Sequence, residues 1–175
     1  MNNIYRCTLT TCPYNCEPCE LTEDELNKTL GKSTPCPIGE DDYFQPIDID
    51  NEFFCLIVGS RSFIDYDKLK KSLDKLLIGK INKNIIIVSG GAKGADALAE
   101  RYAKEKGYQL YVFPAEWEKG KFAGYERNEK MHKYISTKKD KGCVAFWDGK
   151  SKGTEHSFYL AKKYNNSLRV ITFKN

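Results

Sequence analysis

From residue 51 onward the sequence predicts a Rossmann-like α/β fold: a doubly wound, five-stranded parallel sheet covered by helices on both faces. Short β-branched or aromatic runs alternate five times with stretches of helical periodicity. The connections are too long for hairpins and contain helices, so neighbouring strands must run parallel through crossovers. The runs also end in glycine-rich or polar loops, the punctuation expected between strand and helix.

The first strand is FFCLIV (53–58), an apolar run that delivers the tight turn Gly59-Ser60-Arg61. Tyr66, Leu69, Leu73, Leu76 and Leu77 then recur at helical spacing among lysines, which predicts an amphipathic helix with Gly79 as its stop. NIIIVS (84–89) is the second strand and runs straight into GGAKGAD. Residues 95–106 are strong helix formers ending at Gly107, a fitting C-terminal cap. Residues 109–113 make the third strand. After an irregular stretch holding Trp117, Tyr125, Met131 and Ile135 line a third helix that starts near Gly124. Residues 143–147 form the fourth strand, DGKSKGT leads into a helix from about 155 to 164, and residues 168–173 supply the fifth strand. A three-two-one-four-five strand order would make neighbours of the loops after strands one, two and four.

The composition, 41% hydrophobic and 30% charged, is that of a globular protein. No apolar stretch approaches the ~18 residues of a membrane span, and the start MNNIYRC lacks a signal-peptide core, so no membrane partner and a cytoplasmic location are expected. A net charge of +4 with interspersed signs does not imply binding to long nucleic acid.

In an open parallel sheet, ligands sit beyond the carboxyl ends of the strands where strand order reverses. GGAKGAD is the sharpest feature there. Glycines let a backbone approach an anion, and the following helix N-terminus attracts phosphate. It is neither a dinucleotide fingerprint after the first strand nor a Walker loop, so no redox cofactor is expected. The competing reading is a tight strand-to-helix turn. Arg61 could clamp a phosphate or form a surface ion pair, and Ser60 could simply cap the next turn. Asp96 could accept ribose hydroxyls or favour its helix start electrostatically. Asp148, Ser151 and Thr154 could contact ligand or merely shape and cap a turn. Arg127 and Asn128 could reach the same mouth, although solvated helix charge is the simpler reading. Trp117 and Tyr125 could stack a base, yet such aromatics more often cover a core. His132 and His156 fall on charged helical stretches and read as surface residues; Cys55 and Cys143 read as core.

Taken together, GSRSF, IVSGGAKGAD, a YERN helix start and FWDGKSKGT resemble the SLOG superfamily, in its YspA and YpsA-related branch, over roughly residues 52 to 173. The resemblance implies a Rossmann-like fold, related to DprA and the Lonely Guy phosphoribohydrolases, that binds a nucleotide or nucleotide-derived ligand. By motif, Gly59, Ser60 and Arg61 would border the pocket, with Gly90, Gly91, Gly94 and Asp96 at phosphate and ribose. Asp148, Ser151, Gly153 and Thr154 would form the opposite wall, and Arg127 and Asn128 match the family's helix start. Hydrolase relatives carry PGGxGTxxE with a catalytic glutamate at its end; here Ser157 stands at that position and Glu155 is displaced.

Residues 1–50 form a separate Cys-rich arm that holds five of the seven cysteines. Cys12, Cys16, Cys19 and Cys36, with Cys7 as alternate, are the expected ligands of a structural zinc; an iron–sulfur site or reduced thiols are the alternatives. Thr22 and Glu25 suggest a capping box for a short helix to Leu30, and Pro35, Pro37 and Pro46 read as breakers. For the domain of residues 51–175, three functions are in view. It could be a sensor or sequestering protein for an ADP-ribose-like ligand, or a nucleotide N-glycosidase using Glu155 or Asp148 with Arg127. In the third, the Cys-rich arm docks a partner; a homo-oligomer is compatible with all three.

Overall fold

The computed structural model describes residues 51–174 in full and the backbone of three strands before them. The chain divides into two compact units, Met1–Asp50 and Asn51–Asn175.

In the first unit, β1 (Ile4–Cys7) lies between β2 (Glu20–Thr22) and β3 (Phe44–Ile47), antiparallel to both. These strands were not anticipated. Pro46 stands inside β3 opposite Tyr5 instead of breaking structure, on an edge strand where a missing N–H is tolerated. Thr22 ends β2, while the helix expected up to Leu30 and Cys12, Cys16, Cys19 and Cys36, the expected zinc ligands, lie outside the described residues. Of Cys7 only the backbone is described.

The second unit is the expected parallel sheet. Its strands are β4 (Glu52–Gly59), β5 (Asn84–Ser89), β6 (Gln109–Val112), β7 (Lys141–Trp147) and β8 (Leu168–Thr172). Their order is β6-β5-β4-β7-β8, so the direction of winding reverses between β4 and β7. The period of two along β4 splits the core. Phe53, Cys55 and Ile57 face one cluster with residues of α1 (Tyr66–Leu77) and α2 (Ala95–Lys106). Phe54, Leu56 and Val58 face the other, with Met131 and Ile135 of α3 (Ala123–Ser136). The fourth helix, α4 (Lys152–Lys163), follows β7.

Local chemistry sets the helix ends. Asp65 caps α1 by accepting from Lys68 N at 2.9 Å, and Gly107 closes α2 in the left-handed conformation (φ 67°). Leu69, Leu73 and Leu77 of α1 are buried, each contributing roughly 1.5–3 kcal/mol. Three details depart from expectation. Gly79 does not stop α1, which tightens into a 3₁₀ turn over Ile78–Lys80. The last helix begins at Lys152, because Ser151 is its N-cap, so Gly153 and Thr154 belong to its first turn. His132 is fully buried: Asn166 Nδ2 donates to its carbonyl oxygen at 2.9 Å, and burial pushes its imidazole down to about 4.

Candidate functional site

The site is assembled around Ser60. Its N–H donates to Phe146 O at 2.9 Å, its carbonyl accepts from Phe63 N (3.1 Å) and Ala95 N (3.4 Å), and its hydroxyl accepts from Asp148 N at 3.2 Å. The loops after β4, β5 and β7 are thereby tied to one buried residue. Gly59 permits this convergence, since a Cβ there would lie 2.6 Å from both Ala95 Cβ and Phe146 O.

In the loop Gly90–Asp96, the glycines make room for protein. A Cβ on Gly90 would fall 1.3 Å from Nη1 of Arg127, and one on Gly94 would fall 2.4 Å from Ser60 O. Gly94 also has φ 80° and ψ −127°, a backbone conformation that suits glycine. Into the space beside Gly90 reaches Arg127, one turn into α3, whose Nη1 donates to Asp96 Oδ2 at 3.2 Å. Asp96 also accepts from Ala92 N at 3.2 Å. Arg127 and Asn128 are each only 8% exposed, so the solvated-charge reading of this pair is wrong.

On the opposite wall, Asp148 accepts from Lys150 N (2.9 Å), Ser151 N (2.8 Å) and the Ser62 hydroxyl (3.1 Å). Ser151 then caps α4, and Asn128 Nδ2 donates to Gly153 O at 3.2 Å, joining α3 to α4. Between the walls, at the β4/β7 reversal, lies a cavity of about 520 Å³. Of the residues singled out from sequence, Gly59, Arg61, Asp96, Arg127, Asn128, Asp148, Ser151, Gly153 and Thr154 line it. Ser60, Gly90, Gly91 and Gly94 do not; they stand behind it as scaffold. Glu155 is also absent from the lining and pairs with Lys152 at 2.9 Å on an exposed part of α4.

A family model described as YAcAr, the YspA, cpYpsA-related SLOG family, matches residues 55–120. The Gene 61 protein of Mycobacterium phage D29 is 36% identical over 128 residues, covering 67% of this chain and 94% of that protein. The chain belongs to the YspA, cpYpsA-related SLOG family. Among solved structures, the SLOG chain is similar to DNA processing protein A from Helicobacter pylori, which has a single-stranded DNA binding mode. That match has 21% identity and a TM-score of 0.49, over 70% of this chain and 66% of the other. A predicted subunit of tRNA methyltransferase from Methanocaldococcus jannaschii matches at 14% identity and a TM-score of 0.35, over 68% and 66% of the two chains.

The electrostatics of this SLOG cavity are lopsided. Arg61, Lys121 and Arg127 line it against two carboxylates, Asp96 and Asp148, an excess of one positive charge. Burial raises the Asp96 carboxyl above its usual range, an effect Arg127 and the Ala92 N–H only partly offset. Burial likewise lowers Arg127, Asp96 opposes that, and the charge of Arg61 lowers it further. Arg127 Nε is buried without a partner. Partial burial would raise Asp148, but the hydrogen bonds from Lys150 N, Ser151 N and the Ser62 hydroxyl, with the nearby Ser60 hydroxyl, outweigh that and hold it down at about 2.

Several lining residues of the SLOG site carried little or no signal in the sequence. Lys121 had none beyond lying near a turn, and Ser62 had only its place in GSRSF. Trp117 and Tyr125 line the cavity and are 54% and 36% exposed, so they do not cover the core as aromatics in such segments usually do. Ser157, at the hydrolase glutamate position, is buried and lines the cavity. Among the described residues no cluster of three or more His, Cys, Asp or Glu could hold a metal, and no helix is long and apolar enough to cross a membrane. Cys55 is buried, which pushes its thiol up to about 12 and removes it as a nucleophile.

Proposed function

We propose that this chain binds a nucleotide or nucleotide-derived ligand, ADP-ribose-like in chemistry, and acts as a sensor or sequestering protein. The observation that carries the reading is Arg127. It is more than nine-tenths buried, faces the cavity, has an unpartnered Nε, and feels the charge of a second arginine, Arg61, with one buried carboxylate, Asp96, beside it. A bound phosphate would relieve the mutual repulsion of the two guanidiniums and use the surplus charge. The start of α4, with Gly153 facing open space, adds N–H groups to the same wall. Family membership supports a nucleotide-related role at this level.

Binding without turnover is supported by how the carboxylates are engaged. Asp96 is paired with Arg127, Asp148 is held ionised by loop N–H groups, Glu155 lies outside the cavity lining, and Ser157 replaces the relatives' glutamate.

Calorimetry with AMP, GMP, CMP, UMP and ADP-ribose tests this, with chromatography of the incubated ligand for released base. The expected outcome is micromolar-range binding and unchanged ligand. Base release that disappears in Glu155→Gln would install the hydrolase instead. The double variant Asp96→Asn/Arg127→Gln, which leaves no buried charge unpaired, is expected to fold and to lose at least tenfold in affinity. A short single-stranded oligonucleotide that binds tighter than every mononucleotide would replace the small-molecule reading.

A further inference from the structure

The cavity has two chemically different ends. Arg127, Asn128, Thr154 and Ser157 make one end buried and polar, whereas Trp117 stands at the other in a 3₁₀ turn, Trp117–Lys119, with more than half its surface in contact with solvent. An indole left out of the core at a cavity mouth is an unusual use of the residue, since Trp is highly buried on average.

The ring is also positioned. Gly124, in the first turn of α3, lies beside it, where a Cβ would make an ordinary van der Waals contact with Trp117 Cη2 at 3.4 Å. Gly120 ends the turn at φ 97°, and its N–H donates to Trp117 O at 3.0 Å. Among the described residues no other aromatic ring packs on the indole; the group over its face is the Arg61 guanidinium, 5.4 Å from the ring centroid. The same guanidinium acts electrostatically on Asp96 and Arg127. Arg61 therefore stands between the aromatic end and the charged end.

We infer that Trp117 is the stacking platform for the planar ring of the ligand and that Arg61 is its gate, leaving the indole to engage the ligand's anion as the ring takes its place. The inference rests on the cavity being the ligand site and adds the ligand's orientation: ring outward on Trp117, anion inward toward Arg127. The exchange is favourable because a stacked base contributes more than an exposed cation–π contact, and because Arg61 gains a charge-assisted hydrogen bond when it leaves. It also specifies the ligand class as one that carries both a flat heteroaromatic ring and a phosphate. A sugar phosphate alone fills only the inner end.

The test compares the mononucleotides with ribose 5-phosphate, by calorimetry on the full chain, in the parent protein, Trp117→Phe and Trp117→Ala, after thermal melts establish that both variants fold. The expected result is that the best mononucleotide binds more tightly than ribose 5-phosphate. Trp117→Ala then weakens it roughly five- to a hundredfold and leaves ribose 5-phosphate within twofold, while Trp117→Phe retains most of the affinity. In fluorescence, the emission that Trp117→Phe removes is quenched by the mononucleotide and unaffected by ribose 5-phosphate. Unchanged mononucleotide affinity in Trp117→Ala, with ribose 5-phosphate still bound, overturns the platform and leaves the cavity as the ligand site. Failure of every mononucleotide and of ribose 5-phosphate to bind the parent protein overturns both.

Discussion

The two walls of the cavity use glycine for opposite purposes. In the loop before α2, Gly90 accommodates the Arg127 guanidinium and Gly94 accommodates the Ser60 carbonyl, so the space they leave is already filled by protein. In the first turn of α4, Gly153 has nothing within 4 Å of where its Cβ would be, and it lines the cavity. A glycine-rich loop thus reports that something comes close to the backbone without saying what. The more glycine-dense motif is here the framework, and the plainer one faces the cavity.

Substitutions separate the walls, beginning with the largest effect. Gly94→Val should destabilise the domain by about 2–6 kcal/mol, because the obstructing atom is a backbone carbonyl that cannot rotate away and the residue's φ is positive. Urea denaturation measures it; a stable variant that merely fails to bind would mean the space belongs to a ligand after all. Gly90→Ala comes next, at about 3 kcal/mol, since displacing the guanidinium strands Asp96 as a buried charge. Adding Asp96→Asn should recover part of that loss, and no recovery would place the damage elsewhere in the loop.

Gly153→Ala reverses the sign. It should stabilise α4 by up to about 1 kcal/mol in thermal melts, through helix propensity, while weakening mononucleotide binding by intruding on the cavity. Equal or better binding would take the α4 wall out of contact with ligand. The smallest effect concerns Asp148. Its carboxyl is depressed to about 2 in the folded protein, so its contribution is complete above the unfolded carboxylate range and is lost as pH falls from about 4 toward 2. Asp148→Asn should therefore flatten that part of the stability–pH curve and lower the plateau above about pH 5 without changing its slope; a slope that survives at low pH belongs to another group.

The parallel sheet was legible because periodicity is a property of neighbours in sequence. FFCLIV and NIIIVS could hardly be anything but buried strands, and Gly107 stands where a helix of 95–106 has to end. Arg127 was not legible in the same way. Nothing near it in sequence reveals that Gly90, 37 positions earlier, has vacated a slot for its guanidinium, or that Asp96 waits beside it. Residue type also misled at His132, whose charged neighbours conceal that its own side chain is buried with Nδ1 3.3 Å from Asn166 Nδ2. Ser60 was legible as a turn residue but not as the meeting point of three loops, because its partners Phe146, Ala95 and Asp148 are brought to it only by the strand order.

That meeting point has a dynamic consequence. With the Ser60 carbonyl committed to Ala95 at the start of α2 and its amide and hydroxyl committed to Phe146 and Asp148 at the end of β7, none of the three loops can open without breaking a bond that another one needs. Their fluctuations should therefore behave as one cooperative unit instead of three independent ones. In hydrogen exchange, the amides of Ala95 and Asp148 should share one opening free energy, and a molecule gripping only the α4 side should slow exchange at Ala95 as well, carrying the news of occupancy across the sheet edge to α2.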